Sequence, residues 1–211
     1  MCAAVLLTII ASVLQGSVVI DRIAVVVNQH PIKASDIDHD IRLTDFLNKT
    51  SLNFSAAEEK AAEERLIDQQ IIRGEIAAGG YRRATDADAD SLLKQIRRDR
   101  YGNSDIRLNR GLEQYGLTEN QLRAQLLWQL TVLHFINDRF RAGVLVTDED
   151  IQKYYDQHRS QFRAPLETVS ASIRNSLEGE QVNQQFEMWL ADTRKETTIE
   201  YKVDYGKEAI R

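Results

Sequence analysis

The chain of 211 residues has one cysteine, two prolines, four histidines and few aromatic residues. Cys2 lies in the apolar opening segment, so the rest of the chain can form neither an intrachain disulfide nor a thiolate site. With prolines only at positions 31 and 165, long stretches contain nothing that forces a helix to stop. A strong charge of either sign is also missing: the formal net charge is −5, which gives no reason to expect nucleic acid as a partner. The one basic run, "KQIRRDR" (Lys94 to Arg100), is interrupted by Asp99 and reads as a solvated helix face. No apolar run is long enough to span a bilayer comfortably.

Residues 1–16, in "MCAAVLLTIIASVLQGS", match the apolar region of a secretory signal and are read as a signal peptide. No Lys or Arg precedes them, and Gly16 stands at a poor cleavage site. An uncleaved N-terminal anchor is the alternative. The exported reading predicts a soluble mature chain with no stable membrane insertion after cleavage.

What is present is mostly helix punctuation. A β-branched run, Ile23 to Val27, is followed by "PIK", a short return strand. Ser35 with Asp38, Ser55 with Glu58, Thr85 with Asp88, Thr118 with Gln121 and Thr147 with Asp150 all have capping-box spacing. Gly79-Gly80 and Gly116 read as stops. This predicts five or six helices and leaves no room for a large sheet. In "LTENQLRAQLLWQLTVLHFINDRFRAG", Leu122, Leu126, Leu130, Leu133 and Phe140 form a stripe. Leu127, Trp128, Val132, Phe135 and Ile136 extend it almost all round, so this helix is expected at the centre. After Pro165, Leu166, Val169, Ile173 and Leu177 form one stripe, and Val182, Phe186 and Leu190 resume it after a slip near Gly179. At the end, Ile199, Tyr201, Val203 and Tyr205 alternate with polar residues, the period of a strand. A lone strand cannot satisfy its backbone, so the two ends are expected to meet in one small sheet.

Motifs for chemistry are scarce. "DADAD" (Asp86 to Asp90) begins like a calcium loop, but Ser91 and Arg97 stand where Gly and Glu are required. "DIDHD" (Asp36 to Asp40) reads as a helix first turn. His30, His39, His134 and His158 are scattered, and His134 is expected to be a hydrogen-bonded packing residue. The carboxylates of "SAAEEKAAEERLIDQQ" read as a solvated face with Glu59 and Glu63 near Lys60 and Arg65. No catalytic residue, metal site or cofactor is predicted.

The order of segments carries more than any motif. "VVIDRIAVVVNQHPIKASDID" resembles the opening of the SurA periplasmic chaperone family, and "ERLIDQQIIRGEIAAGGY" looks like its second helix. "YGLTENQLRAQLLWQLTVLHFINDRF" is similar to its long central helix, "VTDEDIQKYYDQH" to its lead-out helix, and "PLETVSASIRNSLEGEQVNQQFEMWLADTRKETTIEYKVD" to its returning segment. The resemblance implies a mainly α, multi-helix chaperone domain over residues 17–211, with an N-terminal part (17–162) and a returning helix and strand (163–211). In that family a parvulin prolyl isomerase domain normally follows the lead-out helix. Here His158 to Leu166 leaves no space for one.

The resemblance further implies a periplasmic, ATP-independent chaperone that binds unfolded or nascent outer-membrane proteins. Competing readings are a peptidyl-prolyl isomerase and a non-catalytic adaptor for a separately encoded isomerase. For client contact the expected residues are Phe46, Leu47, Leu52 and Phe54, in a loop-like stretch between two helices, with Trp189 as a further candidate. The competing expectation is that the loop residues tuck under as a satellite cluster.

Overall fold

The computed structural model describes residues 21–203, and the signal segment and Tyr205 lie outside them. Strand β1 (Ile23–Val27) and strand β2 (His30–Lys33) form a hairpin, and helix α1 (Ala34–Asn48) follows directly. Then come α2 (Ala56–Gly79), α3 (Asp86–Tyr101), α4 (Asp105–Glu113) and α5 (Glu119–Phe140). Helices α6 (Asp148–Gln157) and α7 (Leu166–Glu196) lead to strand β3 (Ile199–Tyr201). The described chain is thus mainly helical, with one three-stranded antiparallel sheet in the order β2-β1-β3.

The sheet joins the two ends of the described chain, as the alternating patterns predict. Val25, Val26 and Val27 face Tyr201, Glu200 and Ile199 across the β1–β3 pairing. Beyond the paired strands, the Asn28 N–H donates to the Thr198 carbonyl at 2.7 Å, and the Lys202 N–H donates to that of Ala24, also at 2.7 Å. Strand β3 is shorter than its alternation suggests, ending at Tyr201, but Val203 still packs against the core.

Three apolar clusters hold the helices. The largest lies under the sheet and takes Ile37 and Ile41 from α1, Ile67, Ile71, Ile72 and Ile76 from α2, Phe135 from α5 and Leu190 from α7. A second joins Leu43 and Phe46 of α1 to Leu93, Leu108, Leu112, Leu122 and Leu126. A third joins Val146, Ile151 and Tyr155 to Ile173 on the first half of α7. Helix α5 spans about 33 Å at 1.5 Å per residue, and its two halves serve the second and first clusters. That explains why it is apolar on several sides, although Leu133 is 52% exposed. Helix α7 does the same with its two stripes, unbroken through Gly179. Full burial of Phe135 alone contributes about 2–3 kcal/mol.

Seven helices, rather than five or six, appear among the described residues. The missed break is at Gly102, whose φ of 57° caps α3 in the left-handed region, with Ser104 capping α4 through the Arg107 N–H. The boxes at Thr85, Thr118 and Thr147 form as expected. That at Ser35 does not form. Its hydroxyl donates to Asp21 at 2.5 Å, and the helix starts earlier, with the Asp36 carboxylate accepting from the Lys33 N–H. Ser55 receives the Glu58 N–H, but its own N–H goes to Asn53, so only half a box exists.

The acidic face of α2 also departs from the expectation of i,i+4 pairs in solvent. Glu63 is only 3% exposed. Glu58 pairs with Arg65, while Glu64 and Asp68 both receive Arg194 from the last turn of α7. The Glu58 pair stays within α2, whereas Glu64 and Asp68 tie α2 to α7. Among the described residues, no helix is long and apolar enough to cross a membrane.

Candidate functional site

Helices α2 and α5 wall a groove whose rim is completed by β2 and the first turns of α1. The helical repeat explains which side chains line it. On α2, Ile67 and Ile71 point into the core, while Gln70, Gly74 and Ala77, spaced four and three apart, face the groove. On α5, Gln121, Ala124, Gln125, Trp128 and Thr131 form the opposing stripe at the same spacings.

The groove consists of two adjoining cavities that share Gln70, Arg73, Ala124 and Trp128. The smaller, about 350 Å³, adds Pro31, Ile32, Asp36, His39, Asp40 and Gln69, together with Gln121 and Gln125. The larger, about 640 Å³, adds His30, Ile76, Ala77, Arg83, Leu127 and Thr131. At the join, the Arg73 guanidinium lies 3.8 Å from the centre of the Trp128 ring. One side of Arg73 remains open to solvent. Crowding by protein on its other sides lowers its pKa from the ordinary guanidinium range through desolvation, although an arginine stays charged in any ordinary solution.

Two buried polar groups set the groove's shape. Asp40 sits below the smaller cavity, accepting from Arg65 Nε at 2.8 Å and from Gln69 at 3.4 Å. Burial raises its pKa, a shift only partly opposed by Arg65. Thr131 is the other. Its hydroxyl donates to the Leu127 carbonyl and accepts the Ala84 N–H at 3.2 Å, pinning the turn that carries Arg83 to α5.

The lining can do two things. Its apolar surfaces, from Pro31 to Trp128 and Leu127, can cover apolar side chains. The amides of Gln70 and Gln125 each offer donors and an acceptor, matching the alternating N–H and C=O groups of an extended backbone whatever its sequence. Gln70 and Gln125 make no side-chain hydrogen bond among the described residues.

The residues expected to contact clients lie elsewhere, and none of the five lines these two cavities. Phe46 and Leu47 are not in a loop. They belong to the last turn of α1, where Phe46 is buried between the rings of Tyr101 and Tyr115, and Leu47 packs against the same cluster. Leu52 and Phe54 are exposed on the α1–α2 loop, with the Arg42 guanidinium 5.0 Å from the Phe54 ring. Asp45 holds that loop by accepting from the Thr50 hydroxyl and the Asn53 N–H. Trp189 packs with Phe135, Phe140 and Phe186 in the largest cluster.

The groove itself escapes motif reading, because it depends on helices distant in sequence. The available signal was the glutamine stripe of α5 beside Trp128. The acids of "DADAD" have structural partners: Asp86 and Asp90 pair with Arg123, and Asp88 completes the Thr85 box. His30 and His39 line different cavities, and His158 stacks on Tyr154. His134 departs from the expected hydrogen-bonded packing, since its buried Nδ1 has no partner among the described residues.

No family model matches the chain. Over 85 residues it is 31% identical to a foldase protein PrsA of Clostridium botulinum (strain Loch Maree / Type A3), a match covering 40% of this chain. The match spans only 25% of that protein's own length. The chain therefore has a distant relationship to a foldase, carried by part of its length.

Proposed function

We propose that the protein is a chaperone that holds unfolded chains in the groove between α2 and α5, without ATP and without catalysing isomerisation. The observation that carries this reading is the lining itself. Apolar surface lies beside unengaged glutamine amides on both walls, a chemistry suited to extended backbone of varied sequence. The distant relationship to a foldase supports the same class of work. Export through residues 1–16 and outer-membrane proteins as clients complete the proposal, on the resemblance to the SurA family.

The non-catalytic part of the proposal rests on the resemblance, in which the isomerase domain follows the lead-out helix. From His158 to Pro165 the chain makes one short 3-10 turn, Arg159–Gln161, and Tyr155 donates its hydroxyl hydrogen to the Ala164 carbonyl at 3.0 Å. Nothing is inserted between the two helices at that point. The relative's name, foldase, favours a second reading as a peptidyl-prolyl isomerase.

Two assays on the pure protein separate the readings. A chaperone lowers light scattering when several unrelated urea-unfolded outer-membrane proteins are diluted into buffer, and leaves the rate of prolyl-peptide isomerisation unchanged. Clear acceleration of isomerisation would contradict the non-catalytic reading. Unchanged scattering for every client would contradict the chaperone reading and leave an adaptor for a folded partner.

A further inference from the structure

We infer that the larger cavity selects acidic side chains, an Asp or Glu of an extended unfolded chain being held there by Arg73 and Arg83. This rests on the reading of the groove as a site for unfolded chains and adds which segments of them it prefers.

The lining of the larger cavity includes His30, Arg73 and Arg83 and no carboxylate. Several of the other arginines lie against carboxylates, while Arg42, Arg100 and Arg159 donate to backbone carbonyls. Arg65 meets Asp40, Arg97 meets Asp105 and Glu119, Arg123 meets Asp86 and Asp90, and Arg194 meets Asp68. Carboxylates are not in short supply, since the chain has 32 acidic against 27 basic residues. Even so, Arg73 and Arg83 make no ion pair among the described residues.

The Arg73 side chain and the backbone beside Arg83 are both held in place. Arg73 rests on the Trp128 ring, and the Arg83 turn is pinned by the Ala84 N–H bond to Thr131. A carboxylate accepting from Arg73 would offset the desolvation that lowers the pKa of this guanidinium. The smaller cavity shares Arg73 but offers no such excess, because its lining also carries the carboxylates of Asp36 and Asp40. The groove continues on both sides of Arg73, so a chain can pass through it. That geometry favours a side-chain carboxylate over a chain terminus.

The test uses fluorescein-labelled peptides with blocked ends and one apolar, extended frame, carrying Glu, Gln or Lys at a single central position. Anisotropy titrations with the full protein should show roughly fivefold tighter binding of the Glu peptide than the Gln peptide, and weaker binding still for Lys. Arg73→Gln and, separately, Arg83→Gln should each reduce that preference, read as the ratio of Glu-peptide to Gln-peptide affinity within the same variant. Arg83 is an exposed turn residue, so its variant keeps the test decisive if Arg73→Gln fails to fold. Equal binding of the Glu and Gln peptides would overturn this inference alone. A preference seen only with an unblocked C-terminus would overturn it in favour of terminus capture. No binding by any peptide would contradict the groove reading as well.

Discussion

Val27 and Ile199 sit opposite each other in neighbouring antiparallel strands, although they come from the two ends of the described chain. The pairing makes β1 the central strand of the sheet, and Ile199 and Val203 pack over the largest cluster. Deleting residues 197–211 should therefore destabilise the whole body by about 2–4 kcal/mol, from lost apolar burial and strand hydrogen bonds. Urea denaturation followed by circular dichroism checks this. A midpoint equal to that of the full chain would show that the closure contributes nothing.

Asp40 predicts a pH dependence with a definite sign. Burial raises its pKa in the folded protein above the unfolded value of about 4. The folded state then binds the proton more tightly. Stability from this group is highest below the unfolded pKa and falls as pH rises through the window up to the raised folded value. Asp88 and Asp150 act in the opposite direction. Bonds from Thr85 and Thr147 lower their pKa values, so their contribution is lost as pH falls. Because those two are common to both proteins, comparing wild type with Asp40→Asn isolates the buried group. Urea unfolding from pH 3.5 to 7 should show wild type losing stability relative to Asp40→Asn as pH rises. Parallel curves would contradict the assignment.

The start of α5 depends on one reciprocal cap. The Thr118 hydroxyl accepts the Gln121 N–H, and the Gln121 amide oxygen accepts the Thr118 N–H at 2.8 Å. Thr118→Ala should cost about 1 kcal/mol, read as a lower thermal midpoint, while Thr118→Ser should recover most of it. If both variants melt with wild type, tertiary packing alone determines where α5 begins.

Local chemistry made much of the fold legible. The Ile23–Val27 hairpin, the strand at Ile199, the boxes at Thr85, Thr118 and Thr147, and the two stripes of α7 follow from period and capping. Several of the failures share a physical cause, which is competition from residues far away in sequence. Ser35 has the spacing of a cap but is taken by Asp21. Glu63 looks solvated but is covered. Phe46 continues α1 into the second cluster because Tyr101 and Tyr115 are there to receive it. The groove is the extreme case. Arg73 and Trp128 carry no motif, and only the packing of α2 and α5 around the core brings them within 3.8 Å.

Gly74 allows the central claim to be tested at one position. It lies in the groove wall, and a Cβ added there would meet no atom within 4 Å. Gly74→Ala should therefore fold normally and gain about 0.5–1 kcal/mol from helix propensity, whereas Gly74→Phe places a ring in the space a client would occupy. The decisive measurement is light scattering of a urea-unfolded outer-membrane protein diluted with a several-fold excess of wild type, Gly74→Ala or Gly74→Phe. The account predicts that wild type and Gly74→Ala suppress scattering and that Gly74→Phe, folded by circular dichroism, loses most of that effect. Suppression by Gly74→Phe equal to that of wild type would contradict the groove as the client site, and no suppression by wild type would contradict the chaperone function itself.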